Sequence, residues 1–391
     1  MGLSMSSGTP RVWISLFLAL SAVPVFAQGA PGPKVIYGTD DRIDVYQETS
    51  PVRLAWAAAT CGLVSTSNLS LNGDGTYTLL TDDFIVLGRV PCEGEPFANQ
   101  PTAANCSGFL AAEDVVATAG HCMDTGRLNS YRYVFGFQML DANTPVTTLQ
   151  ADQVYSGIEI VERRYEGSFD YTVVRLDRPV TAPGAAPLPI RRSGVIPLGA
   201  QVGVIGHPTG LPLKLSFGDD TVVYNNTSES HFVANLDTYG GNSGSPVFNV
   251  STGLVEGVLV RGAKDYNVVG SCFESNRLAD EQADEDVSKS TTFADAIPVD
   301  PHTADTNSDG SIGLGEVLRV IQFYNSGSLH CEALGEDGFA PGGGDQTCAN
   351  HESDYMETNF VISQSELLRL IQIYNVGAYT RCDAGEDGFC I

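Results

Sequence analysis

Thr118-Ala119-Gly120-His121-Cys122 closes an apolar, strand-like run, Asp114-Val115-Val116-Ala117, and Gly241-Asn242-Ser243-Gly244-Ser245-Pro246 presents a serine between glycines far downstream. These two stretches decide the reading of the chain. A serine hydroxyl is a weak nucleophile at neutral pH. It needs a base within hydrogen-bond reach, and the base needs a carboxylate to hold its tautomer. The carboxylate lies between the two stretches, as Asp170 in Ser168-Phe169-Asp170-Tyr171-Thr172-Val173-Val174-Arg175-Leu176. Asp177 is the alternative, but Leu176-Asp177-Arg178-Pro179 reads as an exposed turn. Of six histidines, His121 alone has this context.

Working outward, short apolar segments separated by Gly, Pro, Asn and Asp turns run from about Val35 to Ile297. Examples are Asp83–Gly88, Tyr131–Gly136, Gln201–Gly206 and Leu254–Val260. Many short strands at close spacing predict a barrel or sandwich. Nine cysteines follow residue 60, with no CxxC spacing, which argues against zinc and for disulfides. A Cys106–Cys122 bridge would pin the histidine loop to its strand. Cys92 with Cys272 follows by elimination. The odd cysteine is Cys61, in the apolar run Ala57–Val64.

Arg11 precedes an apolar run from Val12 to Ala27, and Val25-Phe26-Ala27 suits cleavage before Gln28, which predicts a signal peptide (1–27) and export. No later segment has the uninterrupted apolar length of a membrane span. The 391 residues carry 21 Lys+Arg against 47 Asp+Glu, a net charge of -26. Such a surface excludes nucleic acid and anionic membranes as partners.

The His, Asp, Ser order and its flanking residues resemble the trypsin-like serine proteases, closest to the bacterial V8-like or glutamyl endopeptidase branch. Cys106-Ser107-Gly108-Phe109 leading to TAGHC, the Asp170 strand and Asp237-Thr238-Tyr239-Gly240-Gly241-Asn242-Ser243-Gly244-Ser245-Pro246-Val247-Phe248 carry the likeness. So does Val35-Ile36-Tyr37-Gly38-Thr39-Asp40-Asp41-Arg42, which looks like that branch's mature start. The resemblance spans residues 35–297. It implies an all-β catalytic domain of two antiparallel six-stranded β-barrels. It implies Ser243 as nucleophile, His121 as general base and Asp170 as its orienting partner, with the N–H groups of Gly241 and Ser243 as oxyanion hole. Protein or peptide substrates follow, with no cofactor for catalysis.

Asn242 stands where trypsin has the aspartate that pairs with a new N-terminus, so that ion pair is absent. Residues 28–34 make a short propeptide if a second cut falls before Val35; signal cleavage alone is the other reading. For the substrate pocket, Leu259 stands where glutamyl-specific relatives carry histidine. Asp237, His231 and Arg261 are the other candidates. A catalytically inactive binding or adhesion protein on the same fold, displayed through its tail, is the alternative function, and a serine esterase a third.

After a linker at 298–304, residues 305–391 contain a repeat: Glu316–Asn325 recurs as Glu366–Asn375, and Glu336–Phe339 as Glu386–Phe389. Each decapeptide has amphipathic helical spacing. Asp305-Thr306-Asn307-Ser308-Asp309-Gly310-Ser311-Ile312-Gly313-Leu314-Gly315-Glu316 matches the EF-hand loop, with Asp305, Asn307, Asp309, the Ser311 carbonyl and Glu316 as calcium ligands. Counting back from Glu366 puts Tyr355 first and Phe360 in the glycine position, which predicts a second loop without calcium. The plan resembles dockerin-like modules, which implies a small α-helical, EF-hand- and dockerin-like C-terminal domain with a cohesin-like or cell-surface partner.

Overall fold

The structure is a computed structural model describing residues 1–2, 35–298, 301–332, 334–381 and 385–391. The chain divides into two compact units, Met1–Ala30 and Pro31–Ile391. Apart from Met1 and Gly2, the expected signal peptide and propeptide lie outside the described residues, as do positions 299–300 of the expected linker and Cys382. Among the described residues no helix is long and apolar enough to cross a membrane.

The labelled elements are β1 (Arg42–Asp44), α1 (Pro51–Ala58), β2 (Thr60–Ser65), β3 (Ala104–Ala112), β4 (Val115–Thr118), β5 (Tyr131–Phe135), β6 (Val154–Glu166) and β7 (Phe169–Leu176). There follow β8 (Val202–Gly206), β9 (Lys214–Ser216), β10 (Val223–Asn225), β11 (His231–Ala234), β12 (Pro246–Asn249), β13 (Val255–Arg261), β14 (Glu285–Lys289), α2 (Leu314–Ser326) and α3 (Gln364–Val376).

Six strands close into a barrel in the order β6-β7-β4-β3-β2-β5. All four residues of β4 are buried, as befits an apolar run with a strand partner on each side. Phe109, Tyr133, Phe135, Tyr155, Val173 and Val174 pack inside the same core. Each such side chain contributes roughly 1.5–3 kcal/mol of burial.

The second expected barrel is instead an eight-stranded antiparallel sheet, β10-β11-β14-β13-β12-β8-β9-β1. Its edges are strands of three residues, and two residues of β10 are exposed, so no run of backbone groups remains to close the circle. The expected strand at Asp83–Gly88 is also absent. Val86 and Arg89 exchange both backbone bonds across a two-residue turn, and Leu87 sits at φ 52°. The sequence reading missed α1, which splits the apolar run around Cys61. Ser50 caps it by accepting from Arg53 N at 3.4 Å, Pro51 starts it, and Trp56 stacks on Phe248 at 4.4 Å.

The segment after Lys34 is buried behind the second sheet. Val35, Ile36 and Tyr37 are at most 2% exposed. Ile36-Tyr37 pairs in parallel with Arg277-Leu278. Disulfides join Cys92 to Cys272, Cys106 to Cys122 and Cys331 to Cys348, and Cys61 is a free, buried thiol.

In the tail, α2 and α3 end at Gly327 and Gly377, both left-handed. The repeat extends to its hydrogen bonds. Arg319 and Arg369 each donate to the carbonyl twenty residues on, Phe339 at 2.6 Å and Phe389 at 2.7 Å. Asp305 accepts from Asp309 N and Gly310 N as Asp354 accepts from Asn359 N and Phe360 N. The second loop therefore opens at Asp354, not Tyr355. It spans one residue more than the first (366 − 354 = 12 against 316 − 305 = 11). Phe360 occupies the left-handed position of Gly310 at φ 61°, held by its burial in the tail core. The C-terminal half of the expected linker is part of this fold: His302 and Ala304 are buried, and His302 N donates to Tyr379 Oη at 2.8 Å. The tail also reaches the barrel side, where Thr380 Oγ1 donates to Pro187 O at 3.1 Å.

Candidate active site

His121 sits in the turn after β4, where the Cys106–Cys122 bond ties it to β3. Asp170, on β7 beside β4, is 2% exposed. Its Oδ1 accepts the His121 backbone N–H at 3.0 Å, and its Oδ2 lies 2.9 Å from His121 Nδ1. One carboxylate thus fixes both the main chain and the ring. A proton on Nδ1 directed at Asp170 leaves Nε2 as the acceptor. Ser288 Oγ, from the second sheet, donates to the Asp170 carbonyl at 2.9 Å, so both halves of the fold brace this residue. The Tyr165 ring flanks His121 with centroids 6.2 Å apart.

Ser243 lines the same cleft as His121, together with Gly240, Gly241, Asp265 and Arg127. Its loop is sutured to both halves. Ser107 N donates to Ser243 O at 2.8 Å, and Gly244 N donates to Leu259 O at 2.7 Å. Ser107 Oγ donates to Gly241 O at 3.0 Å. The Gly240 carbonyl accepts from Thr209 N. In a trans peptide the C=O and the following N–H point to opposite sides, so the Gly241 N–H is directed away from Thr209. Gly241 adopts φ +92°, and a Cβ there would meet His207 O at 2.5 Å.

The four pocket candidates do not line this cleft. Leu259 is fully buried in the core of the second sheet. Arg261 donates through Nε to Asp286 at 2.7 Å, and His231 Nε2 faces the same carboxylate at 3.6 Å. Asp237 accepts Tyr37 N and Asp41 N, both at 2.8 Å, so it bolts the N-terminal segment to the stretch leading into the serine loop. Burial raises its pKa to about 7 against the pull of those two N–H groups. His207 is structural: it lies against Phe137 with Nδ1 at 2.9 Å from Leu211 O, and burial lowers its pKa to about 4.

Sequence reasoning missed Ser107 as a strut and Asp265 as a cleft residue. Ser107 stood within a quoted motif without a role; Asp265 lies in a loop with no motif at all. Among the described residues, the one metal-ligand-like group is Cys106, His121 and Cys122, a disulfide beside the imidazole. The carboxylates of Asp305, Asp309 and Glu316 do not all lie within 4.8 Å of one another.

Residues 106–258 match a family model described as a trypsin-like peptidase domain. No curated protein matches the chain. The chain thus carries a trypsin-like peptidase domain on a chymotrypsin-like barrel fold, and a domain of this family implies protein substrates.

Proposed function

We propose that this protein is a secreted serine endopeptidase that works through Ser243, His121 and Asp170. The observation that carries the proposal is the His121–Asp170 pair opening onto the cleft that Ser243 lines. The Ser243 Oγ–H proton passes to His121 Nε2 as Oγ bonds to the scissile carbonyl carbon. The resulting oxyanion is met by the N–H groups of Gly241 and Ser243. His121 then returns the proton to the leaving amine as the C–N bond breaks, leaving an acyl-enzyme. A water, deprotonated by His121, attacks the ester and releases the acid and Ser243. A fluorophosphonate probe should label wild type and not Ser243→Ala, and only wild type should cleave a peptide library. No labelling would favour the inactive binding reading; labelling without cleavage would favour an esterase.

The V8-like branch remains the preferred placement within the family. Asn242 precedes the nucleophile and offers Oδ1 to Ser245 Oγ at 3.4 Å, with no carboxylate for a new N-terminus. Export is supported by the apolar N-terminal run and by the Cys92–Cys272, Cys106–Cys122 and Cys331–Cys348 disulfides. We further propose that the loop 305–316 takes calcium and that the tail docks a surface or scaffold partner. Its donors are oxygens throughout, as a hard cation requires. Asp305 Oδ1 accepts Asp309 N and Glu316 Oε2 accepts Gly313 N, each with a second lone pair for a cation; Asp305 Oδ2 holds Gly310 N and Tyr379 Oη, and Glu316 Oε1 holds Thr306 N and Oγ1, so ligation by these two oxygens requires a hydroxyl to turn away.

A further inference from the structure

The turn that carries His121 lies on the hairpin formed by β6 and β7. A Cβ on Gly120 would meet Arg164 O and Tyr171 N, both at 2.9 Å, so the turn's main chain rests directly on the hairpin backbone. From β7, Asp170 takes the His121 N–H and the ring. From β6, Arg163 takes the carbonyls on either side. Its Nε donates to Gly120 O and to Met123 O, both at 2.9 Å. These two carbonyls bracket His121-Cys122 and converge on one nitrogen, so a single guanidinium closes the turn. Thr172, the cross-strand partner of Arg163, donates its Oγ1 to the same Met123 O at 3.0 Å.

Among the described residues no carboxylate pairs with Arg163. Its cation is committed to the two carbonyls and to the Tyr165 ring, 5.3 Å from its centre. The hairpin itself is anchored at its tip by the second half of the fold. Arg261 Nη2, from β13, donates to Ser168 O at 3.3 Å, and Ser230 Oγ, just before β11, donates to Ser168 Oγ at 2.8 Å. A support fixed at its far end can hold an imidazole within the tolerance that proton transfer demands.

We infer that Arg163 is a positioning residue for His121. It holds the carbonyls of Gly120 and Met123 so that the ring keeps its place between Asp170 and the cleft. The inference rests on the peptidase reading above and adds a residue to it. Arg163 does not line the cleft, so its loss should disturb turnover and leave substrate binding alone.

The test compares Arg163→Met and Arg163→Lys in the full chain, with active sites titrated by the fluorophosphonate probe. Arg164→Met is the control: strand alternation puts Arg164 on the other face of β6, where it pairs with Glu166 at 3.3 Å. Arg163→Met should lose about 10- to 100-fold in kcat, the size of a charge-assisted hydrogen bond, with KM within about twofold. Ser243 should label more slowly in this variant, yet to completion. Arg163→Lys keeps a cationic donor and should return kcat to within about tenfold of wild type. Arg164→Met should stay within about twofold, as an exposed ion pair requires. If circular dichroism shows that Arg163→Met does not fold, Arg163→Gln takes its place and is read the same way. Wild-type kcat in Arg163→Met overturns the inference and leaves the peptidase reading intact. So does a loss confined to KM, an equal loss in Arg164→Met, or a lysine variant no better than the methionine one. A wild type that neither labels nor cleaves sinks both.

Discussion

Gly241→Ala is the most searching perturbation of the proposed oxyanion wall. The new methyl would approach His207 O at 2.5 Å, Gly210 N at 2.8 Å and Thr209 N at 3.0 Å. All three are backbone atoms, so no side chain can rotate aside. Reaching an ordinary contact of 3.4 Å from 2.5 Å demands a shift of 3.4 − 2.5 = 0.9 Å in one of the two backbones. The left-handed φ of +92° adds roughly 1–2 kcal/mol of strain for alanine. A displacement near 1 Å in a positioned donor costs about 100-fold, and complete loss of one donor about 100- to 1000-fold in kcat. The variant should therefore lose about 3–4 kcal/mol of transition-state stabilisation, with KM little changed. Steady-state kinetics on a peptide substrate, normalised to labelled Ser243, measures this, and a thermal melt checks the fold. A folded variant turning over within about threefold of wild type would show that the Gly241 N–H does not serve the reaction.

Asp170→Asn should keep the fold, since an amide oxygen can still accept His121 N–H, yet kcat should fall by about 10⁴ because the ring loses the partner that sets its tautomer; kinetics beside circular dichroism separates the two effects. In the tail, burial lowers the pKa of His302 to about 4 and of His351 to about 3. Their unfolded values lie near 6.5, so the unfolded tail gains protons first as pH falls; stability fully present above pH 6.5 should drain away as pH falls toward 3–4. Hydrogen exchange of α2 and α3 across that range is the readout, and protection that stays flat would refute it. Calcium should raise the tail's melting temperature, and Asp309→Ala should abolish the rise, as calorimetry with and without chelator would report.

The closed barrel and the His121–Asp170 pair beside the Ser243 cleft were legible because their signals are local. A strand that opens on three apolar residues, a glycine-flanked serine and an aspartate beside Tyr171 each state their context within ten residues. The second sheet was less legible because closure depends on whether edge strands meet, and nothing in Arg42–Asp44 or Val223–Asn225 encodes that encounter. Asp237 was misjudged for a related reason. Its spacing from Ser243 suggested a pocket, but its partners, Tyr37 N and Asp41 N, lie about 200 residues away and cannot be foreseen from that spacing. The second tail loop was misaligned by a single inserted residue, which only the shared wiring of Asp354 and Asp305 reveals. Asp265 carried no signal: an isolated acid in a loop gains its meaning only from Gly240 across the fold.

The threading of Val35–Tyr37 behind the serine loop has a consequence for biosynthesis. These early residues find their seat only against Thr238 and the Arg277-Leu278 strand, which leave the ribosome hundreds of peptide bonds later. A chain still emerging holds His121, Asp170 and Ser243 before it holds the Arg277-Leu278 strand on which Ile36-Tyr37 pairs. On the proposed peptidase reading, the seat behind the serine loop is completed only once residue 278 has emerged, a delay written into chain order rather than into any inhibitor.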